Sequence, residues 1–295
     1  MEKDKLHIGT ISWKYDSWQG IVYPESKPFN HLREYSRHYR TVEVDQWFWS
    51  LFSGDKAALP KSPVVEEYAG SVPGDFTFGI KVPNSITLTH HYKKKKSDPL
   101  IPNPYFLSIH LMQKFLERLA PLSRNIGPLI FQFEYLNKQK MPGKLQQFID
   151  QFGEFAEQLP GSYKYCVEIK NPNYLDEDYF EFLNERKLHH VFLQGHYMPS
   201  IFELYNKHRE QIKNLAVIRL HGSDQKEVEV RTGKKWSMIV SPKDSDIESL
   251  AGMLEDMERR GIETFVYVKN QFEGSAPMTI ARIENRLSEA TSFRA

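Results

Sequence analysis

Thr264-Phe-Val-Tyr-Val-Lys-Asn-Gln-Phe-Glu-Gly-Ser-Ala-Pro277 is the stretch whose reading decides the fold. Its apolar, β-branched and aromatic run, residues 265–268, reads as a buried strand, and Lys269 and Asn270 bring polar chemistry to its carboxyl end. Gly274 then breaks the chain. Pro277 suits the first position of a helix whose apolar residues Ile280, Ile283 and Leu287 fall on one face. Two readings of the turn stay open. If Ala276 is the N-cap, it offers no side-chain oxygen, and Gly274, Ser275 and Ala276 at the positive end of the helix are free to hold an anion. If Ser275 caps the helix, the turn is structural.

Working outward, the same strand-then-helix unit recurs. Strands are expected at residues 6–11, 41–45, 76–81, 128–134, 165–170, 189–194 and 215–221, and helices at 30–39, 104–119, 143–158, 199–213 and 244–259. Eight strands alternate with eight helical stretches, and no linker of different composition separates them. The reading is an α/β fold, a single TIM (β/α)8 barrel domain over residues 1–295. A doubly wound open sheet is the rival, and the glycine-rich first turn that usually marks it is absent. Between the seventh strand and its helix, residues 227–240 alternate apolar and polar around Thr232-Gly233, which predicts a β-hairpin insert.

Composition narrows the function classes. A formal net charge of +1 argues against a chain that coats nucleic acid, so any cationic surface must be local. Cys166 is the sole cysteine, which removes an internal disulfide framework and fits a reducing compartment. The charged amino terminus and the absence of a long apolar run predict a soluble, cytoplasmic protein with no membrane partner.

In a barrel, alternate side chains point inward and the carboxyl ends of the strands carry the site. Parity therefore selects Glu43 and Asp45, Thr77, Gly79 and Lys81, Gln132 and Glu134, Glu168 and Lys170, and Arg219 and His221. Acids Glu43, Asp45, Glu134 and Glu168 are matched by bases Lys81, Lys170, Arg219 and Lys269. That balance ranks a metal-free site above a metal site, and no cofactor motif is present. Paired carboxylates suit general acid/base work, and Glu134 with Glu168 on neighbouring strands suit a retaining-glycosidase spacing. The aromatics Trp13, Trp18, Trp47, Trp49, Tyr135 and Tyr174 either line the mouth or pack the barrel top. Cys166 lies deeper and reads as inert core. The run from Lys93 to Lys96 is a solvated loop or, less often, a phosphate-backbone contact.

These residues are where the chain resembles the domain of unknown function 72 family (YecE-like proteins). The resemblance runs from Ile8 to about Ile283. It rests on Ile8-Gly-Thr-Ile-Ser-Trp-Lys-Tyr-Asp-Ser-Trp18, Tyr23-Pro-Glu25, Tyr39-Arg-Thr-Val-Glu-Val-Asp45 with Phe48, and Phe76-Thr-Phe-Gly-Ile-Lys-Val-Pro83. Gly127-Pro-Leu-Ile-Phe-Gln132, Val167-Glu168 with Asn171-Pro-Asn-Tyr174, Arg219-Leu-His-Gly222, and Tyr267-Val with Gly274-Ser-Ala-Pro277 complete it. The resemblance implies a TIM barrel and no particular activity. Ile11, Asp45, Lys170-Asn171, Gln194 and Lys269 depart from the family's usual residues.

The expectation that follows is a barrel that binds or acts on an anionic, phosphorylated or carboxylated, polyol-like small molecule, as a hydrolase or an isomerase or lyase if it is an enzyme. Glu43 and Glu168 are the candidate acid/base pair, Arg219 holds the anion with the Gly274 turn, and Lys81 and His221 orient or polarise the substrate. Trp13, Tyr15, Asp45, Gln132, Glu134, Asn270, Gly274, Ser275 and Ala276 are candidate ligand contacts. Two other classes stand beside it: a nucleic-acid-binding or metal-dependent nucleic-acid-processing barrel, and a non-catalytic ligand sensor.

Overall fold

A computed structural model of the protein describes residues 5–52, 56–93, 95, 97–195 and 197–292. Its strands are β1 (Leu6–Ile11), β2 (Thr41–Val44), β3 (Leu51–Phe52), β4 (Lys56–Ala57), β5 (Thr77–Lys81), β6 (Ile126–Gln132), β7 (Lys164–Glu168), β8 (His189–Gly195), β9 (Leu215–Gly222) and β10 (Glu263–Val268). Eight of these pair in parallel and close on themselves in the order β1-β10-β9-β8-β7-β6-β5-β2. With helices between the strands, this is the expected (β/α)8 barrel.

Strand composition explains the closure. Each barrel strand is buried on both faces, so it carries an almost unbroken apolar run, with one parity facing the helices and the other the bore. On the outer parity of β6, Phe131 packs against Phe152 and the following Phe133 against Phe148, at ring-centroid distances of 5.4 and 5.0 Å. Both partners belong to the helix Lys144–Ala156. On the inner parity, Ile11, Ile130, Cys166, Val191, Leu215, Val217, Phe265 and Tyr267 form a separate buried cluster that plugs the bore. Burial pushes the Cys166 thiol up, so it is the inert core residue that its depth implies.

Polar side chains set the first turn of several helices. Ser108 accepts a hydrogen bond from the Leu111 N–H and starts the helix at Ile109, not at 104. Asp176 does the same for the Tyr179 N–H before Glu177–Glu185.

The hairpin expected after β9 is placed differently. Residues Gln225–Thr232 form a helix, while the two-stranded antiparallel sheet is β3 with β4, after β2. Gly233 explains the difference. At φ +57° it is a left-handed residue ending the helix, its N–H turned back to the Glu229 and Val230 carbonyls, and not the tip of a hairpin. Val228 is buried and Val230 exposed, as a single helical turn places them.

One close approach fixes the layer beneath the site. The Tyr267 hydroxyl lies 3.1 Å from Thr41 Oγ1 and fills the space over Gly79, where a Cβ would stand 2.3 Å from it. Gly79→Ala should therefore overpack the bore and cost about 1–3 kcal/mol. A urea unfolding midpoint unchanged from the parent would refute this packing.

Candidate functional site

The carboxyl ends of the strands form a charged cup centred on Arg219. Its guanidinium forks onto Glu43, Nε to Oε2 at 2.7 Å and Nη2 to Oε1 at 2.8 Å, and Nη1 donates both to Gln132 Oε1 at 3.1 Å and to Glu168 Oε2. Register brings these together. Arg219 sits level with Leu193 and Tyr267 on its neighbours, Gln132 with Glu168, and Glu43 with Gly79. Arg219, Glu43 and Glu168 are all at most 1 % exposed. Burial works against the Arg219 charge, yet Glu168 and Glu43 outweigh it and raise its pKa. Burial likewise pushes the Glu43 carboxyl up while the Arg219 fork pulls it back, and for Glu168 the pull of Arg219, Lys170 and Lys81 prevails over burial and lowers it.

Around this centre stand four further groups. Lys81 Nζ lies 3.8 Å over the Phe48 ring, and burial followed by Arg219 brings its pKa down to about 8 against the pull of Glu43, Glu168 and Asp45. Lys170 Nζ is 4.0 Å from Glu168 Oε1, an oxygen with no hydrogen-bond partner. Lys269 Nζ donates to Gln225 Oε1 at 2.9 Å, and burial and Arg219 lower its pKa too. His221 is kept neutral by burial and then by Arg219, Lys269, Lys81 and Lys170, and its Nε2 is buried without a partner. Tyr15 completes the rim, its hydroxyl pushed up to about 12 by burial and Asp45. A cavity of about 500 Å³ opens above β7, β8 and β9, lined by Lys170, Leu193, His221, Gln225, Tyr135 and Tyr197.

The structure thus brings together Glu43, Lys81, Gln132, Glu168, Arg219 and His221, with Asp45 and Tyr15 beside them. Glu43, however, has both oxygens occupied by Arg219 and orients that residue instead of meeting a ligand. Trp13 is not a mouth residue. Ser12, at φ +62°, breaks the alternation of β1, and Trp13 turns away to pack edge-on against Tyr68 at 5.0 Å. Trp18, Trp47 and Tyr174 are buried as well, whereas Trp49 and Tyr135 are exposed. Glu134 leaves the cup because Lys140 pairs with it in the loop beyond β6, which removes the glycosidase-like pairing with Glu168.

The turn that opened the sequence reading is also closed to an anion. Gly274, Ser275 and Ala276 are buried, and a Cβ on Gly274 would lie 2.5 Å from the Met238 carbonyl. Neither proposed cap operates. Asn270 Oδ1 takes the Ala276 N–H at 2.9 Å, and Ser275 Oγ has no partner. The Glu273 carboxylate already supplies negative charge there, accepting from Thr279 Oγ1, the Lys243 N–H and Arg282. Asn270 is accordingly a structural cap.

Lys170, Lys269, Leu193, Gln225 and Tyr197 were not among the predicted contacts. Parity was the available signal for two of them, since Lys170 follows Glu168, and Lys269 follows Tyr267, by two residues. Among the departures, Asn171 clamps Leu136 through its N–H at 2.7 Å and its carbonyl at 3.1 Å. Gln194 points outward and donates to Asp246 Oδ2 at 2.9 Å. Of the lysine run, Lys94 and Lys96 lie outside the described residues. Among the described residues no group of three His, Cys, Asp or Glu side chains is placed to hold a metal ion, and no helix is long and apolar enough to cross a membrane.

A parallel eight-stranded barrel with a polar cup at the carboxyl ends of its strands belongs to the TIM-barrel class. Residues 7–294 match the family model described as "Protein of unknown function DUF72", and the chain belongs to that family. It is 26% identical over 184 residues to the UPF0759 protein YecE of Escherichia coli K12, a match spanning 62% of this chain and 55% of that protein. The match thus takes in little more than half the length of that relative. A DUF72 family protein from Enterococcus faecalis superposes with a TM-score of 0.67 at 19% identity, covering 96% of this chain and 95% of the other. One from Thermotoga maritima gives 0.65 at 20% identity, covering 96% and 99%. At these identities the likeness to the solved structures speaks for the fold.

The buried cluster carries its own test. Arg219→Met leaves two carboxylates buried without their cation, which should cost about 3–5 kcal/mol at neutral pH. The loss should shrink toward about pH 5. In the parent, the depressed Glu168 contributes stability above its unfolded value and loses it on acidification, whereas in the variant burial raises the carboxyls, and protonation relieves them. Replacing Glu43 and Glu168 by Gln in the same chain should restore most of the stability. Denaturation curves that show a loss independent of pH would contradict this account.

Proposed function

We propose that the barrel mouth binds an anionic, phosphorylated or carboxylated, polyol-like small molecule and acts on it by proton transfer without a metal. The observation that carries this reading is the set of cations gathered at the cup. Arg219, Lys81, Lys170 and Lys269 stand around Glu43, Asp45 and Glu168, and Lys170 borders the 500 Å³ cavity beside the unpaired Nε2 of His221. The anion is assigned to the lysines, not to the Gly274 turn. Lys170 and His221 line the 500 Å³ cavity, as does Gln225, whose Oε1 accepts from Lys269. His221, neutral and with Nε2 unpaired, is the group suited to pass a proton, with the ionised Glu168 as the second proton-transfer group of the cup. Polar hydroxyls of a polyol suit Gln132, Gln225 and Tyr15, and Tyr135 and Tyr197 offer ring faces at the rim. Hydrolysis and isomerisation or elimination are the reaction classes such a pair serves.

Thermal-shift titrations test it. Sorbitol 6-phosphate and gluconate should raise the melting temperature and sorbitol should not, with the effect weakening as salt is added. Lys170→Met and Lys269→Met should each lower affinity about tenfold or more, the worth of one charge-assisted hydrogen bond. Equal stabilisation by neutral sorbitol, or stabilisation by a single-stranded oligonucleotide alone, would overturn the reading.

A further inference from the structure

Lys81, like Lys269, is a cation in the cup that the ion pairs do not use. Arg219 occupies both oxygens of Glu43 and one of Glu168, and Lys170 stands nearest the other oxygen of Glu168. Among the described residues Lys81 Nζ has neither a hydrogen-bond acceptor nor a contact ion pair, and its partner is the face of Phe48. The side chain is 8 % exposed and projects from the carboxyl end of β5 into the cup, where Glu43, Glu168, Asp45 and Arg219 are the charges that act on it. A lysine kept only as a counter-ion would be expected to donate to one of those three carboxylates.

We propose that Lys81 is a nucleophile whose amine condenses with an aldehyde or ketone carbonyl of the ligand to form an imine. The proposal deepens the reading above, on which it rests, by naming the ligand's reactive group. The amine lone pair adds to the carbonyl carbon, making the C–N bond, and the carbonyl oxygen takes up a proton. The C–O bond of this carbinolamine then breaks, water leaves, and the nitrogen that began as an ammonium ends as an iminium with no net change in protons. Burial and Arg219 supply the free amine. With its pKa near about 8, roughly a tenth of Lys81 is unprotonated at neutral pH, against well under a hundredth for an ordinary lysine. The Phe48 ring shields one side of the nitrogen, and Glu168 is close enough to stabilise the iminium charge electrostatically.

The test is reductive trapping on the full chain. The protein is incubated with glycolaldehyde phosphate and cyanoborohydride, whose hydride converts the imine into a stable secondary amine, and the modified lysine is located by peptide mass mapping. Lys81 should be labelled several-fold faster than the exposed Lys138 and Lys187, with a rate rising as pH passes through about 8, and sorbitol 6-phosphate should slow labelling at Lys81 alone. Lys81→Arg should lose the fast-labelled site. Labelling of Lys81 no faster than that of the exposed lysines would overturn the proposal, and this reading comes from the parent protein whether or not the variant folds. Equally fast labelling of Lys81 by neutral glycolaldehyde, unprotected by sorbitol 6-phosphate, would keep the nucleophile and overturn the anionic-ligand reading instead.

Discussion

The fork of Arg219 between Glu43 and Glu168 is the interaction on which the site depends. Glu43 belongs to β2, Glu168 to β7 and Arg219 to β9, so one guanidinium joins three strands of which no two are neighbours in the barrel. Taking three charges out of water is costly, and a buried ion pair is weak evidence for stability by itself. What it supplies is uniqueness. A one-residue slip of β2 or β9 would send Glu43 or Arg219 to the helix-facing side, among apolar side chains, and leave its partner uncompensated. The charges therefore select the register that the apolar plug beneath them also selects.

That arrangement decides which groups remain for chemistry. Because a planar guanidinium satisfies carboxylates two bonds at a time, Glu43 is spent on holding Arg219, and Gln132 takes a further guanidinium hydrogen bond. Lys170 and His221 are left lining the cavity, and Lys81 is left without an ion pair. The lowered proton affinities of Lys81, Lys269 and His221 share their causes, burial first and then the Arg219 charge. The residue that organises the barrel mouth is thus also the one that tunes its reactive groups, and stability and reactivity cannot be varied there independently.

The same physics explains what could be read from the sequence. Strand parity located Glu43, Lys81, Glu168 and Arg219 because extended backbone alternates strictly, and the barrel order followed from the alternation of strands and helices. It failed where the backbone ceases to be extended. Ser12 in a left-handed conformation redirects Trp13, and Gly233 ends a helix in a stretch whose apolar spacing also fits a strand. It failed, too, where a distant segment decides the outcome. The turn at Gly274 looks like an open helix terminus until the residues around Val240 lie across it, with the Val240 and Ser241 N–H groups bonded to the Glu273 carbonyl. Lys140 capturing Glu134 is of the same kind, a loop contact that no periodicity encodes. Gln194 obeys the same alternation: Val191 faces the bore, so a residue three positions later faces out.

The rim gives this cup its dielectric setting. Trp49, Tyr92, Tyr135 and Tyr197 are exposed on loops that leave the carboxyl ends of β2, β5, β6 and β8, and the Trp49 and Tyr92 rings lie 5.7 Å apart. Rings that stand in solvent above a charged centre gain most by covering whatever sits on it. A ligand seated among the lysines and capped by these rings would lose its contact with water, and each remaining charge–charge term would grow as the effective dielectric fell. Closing the mouth would then strengthen the hold on an anion and, by the same field, favour an iminium beside Glu168 over a free carbonyl.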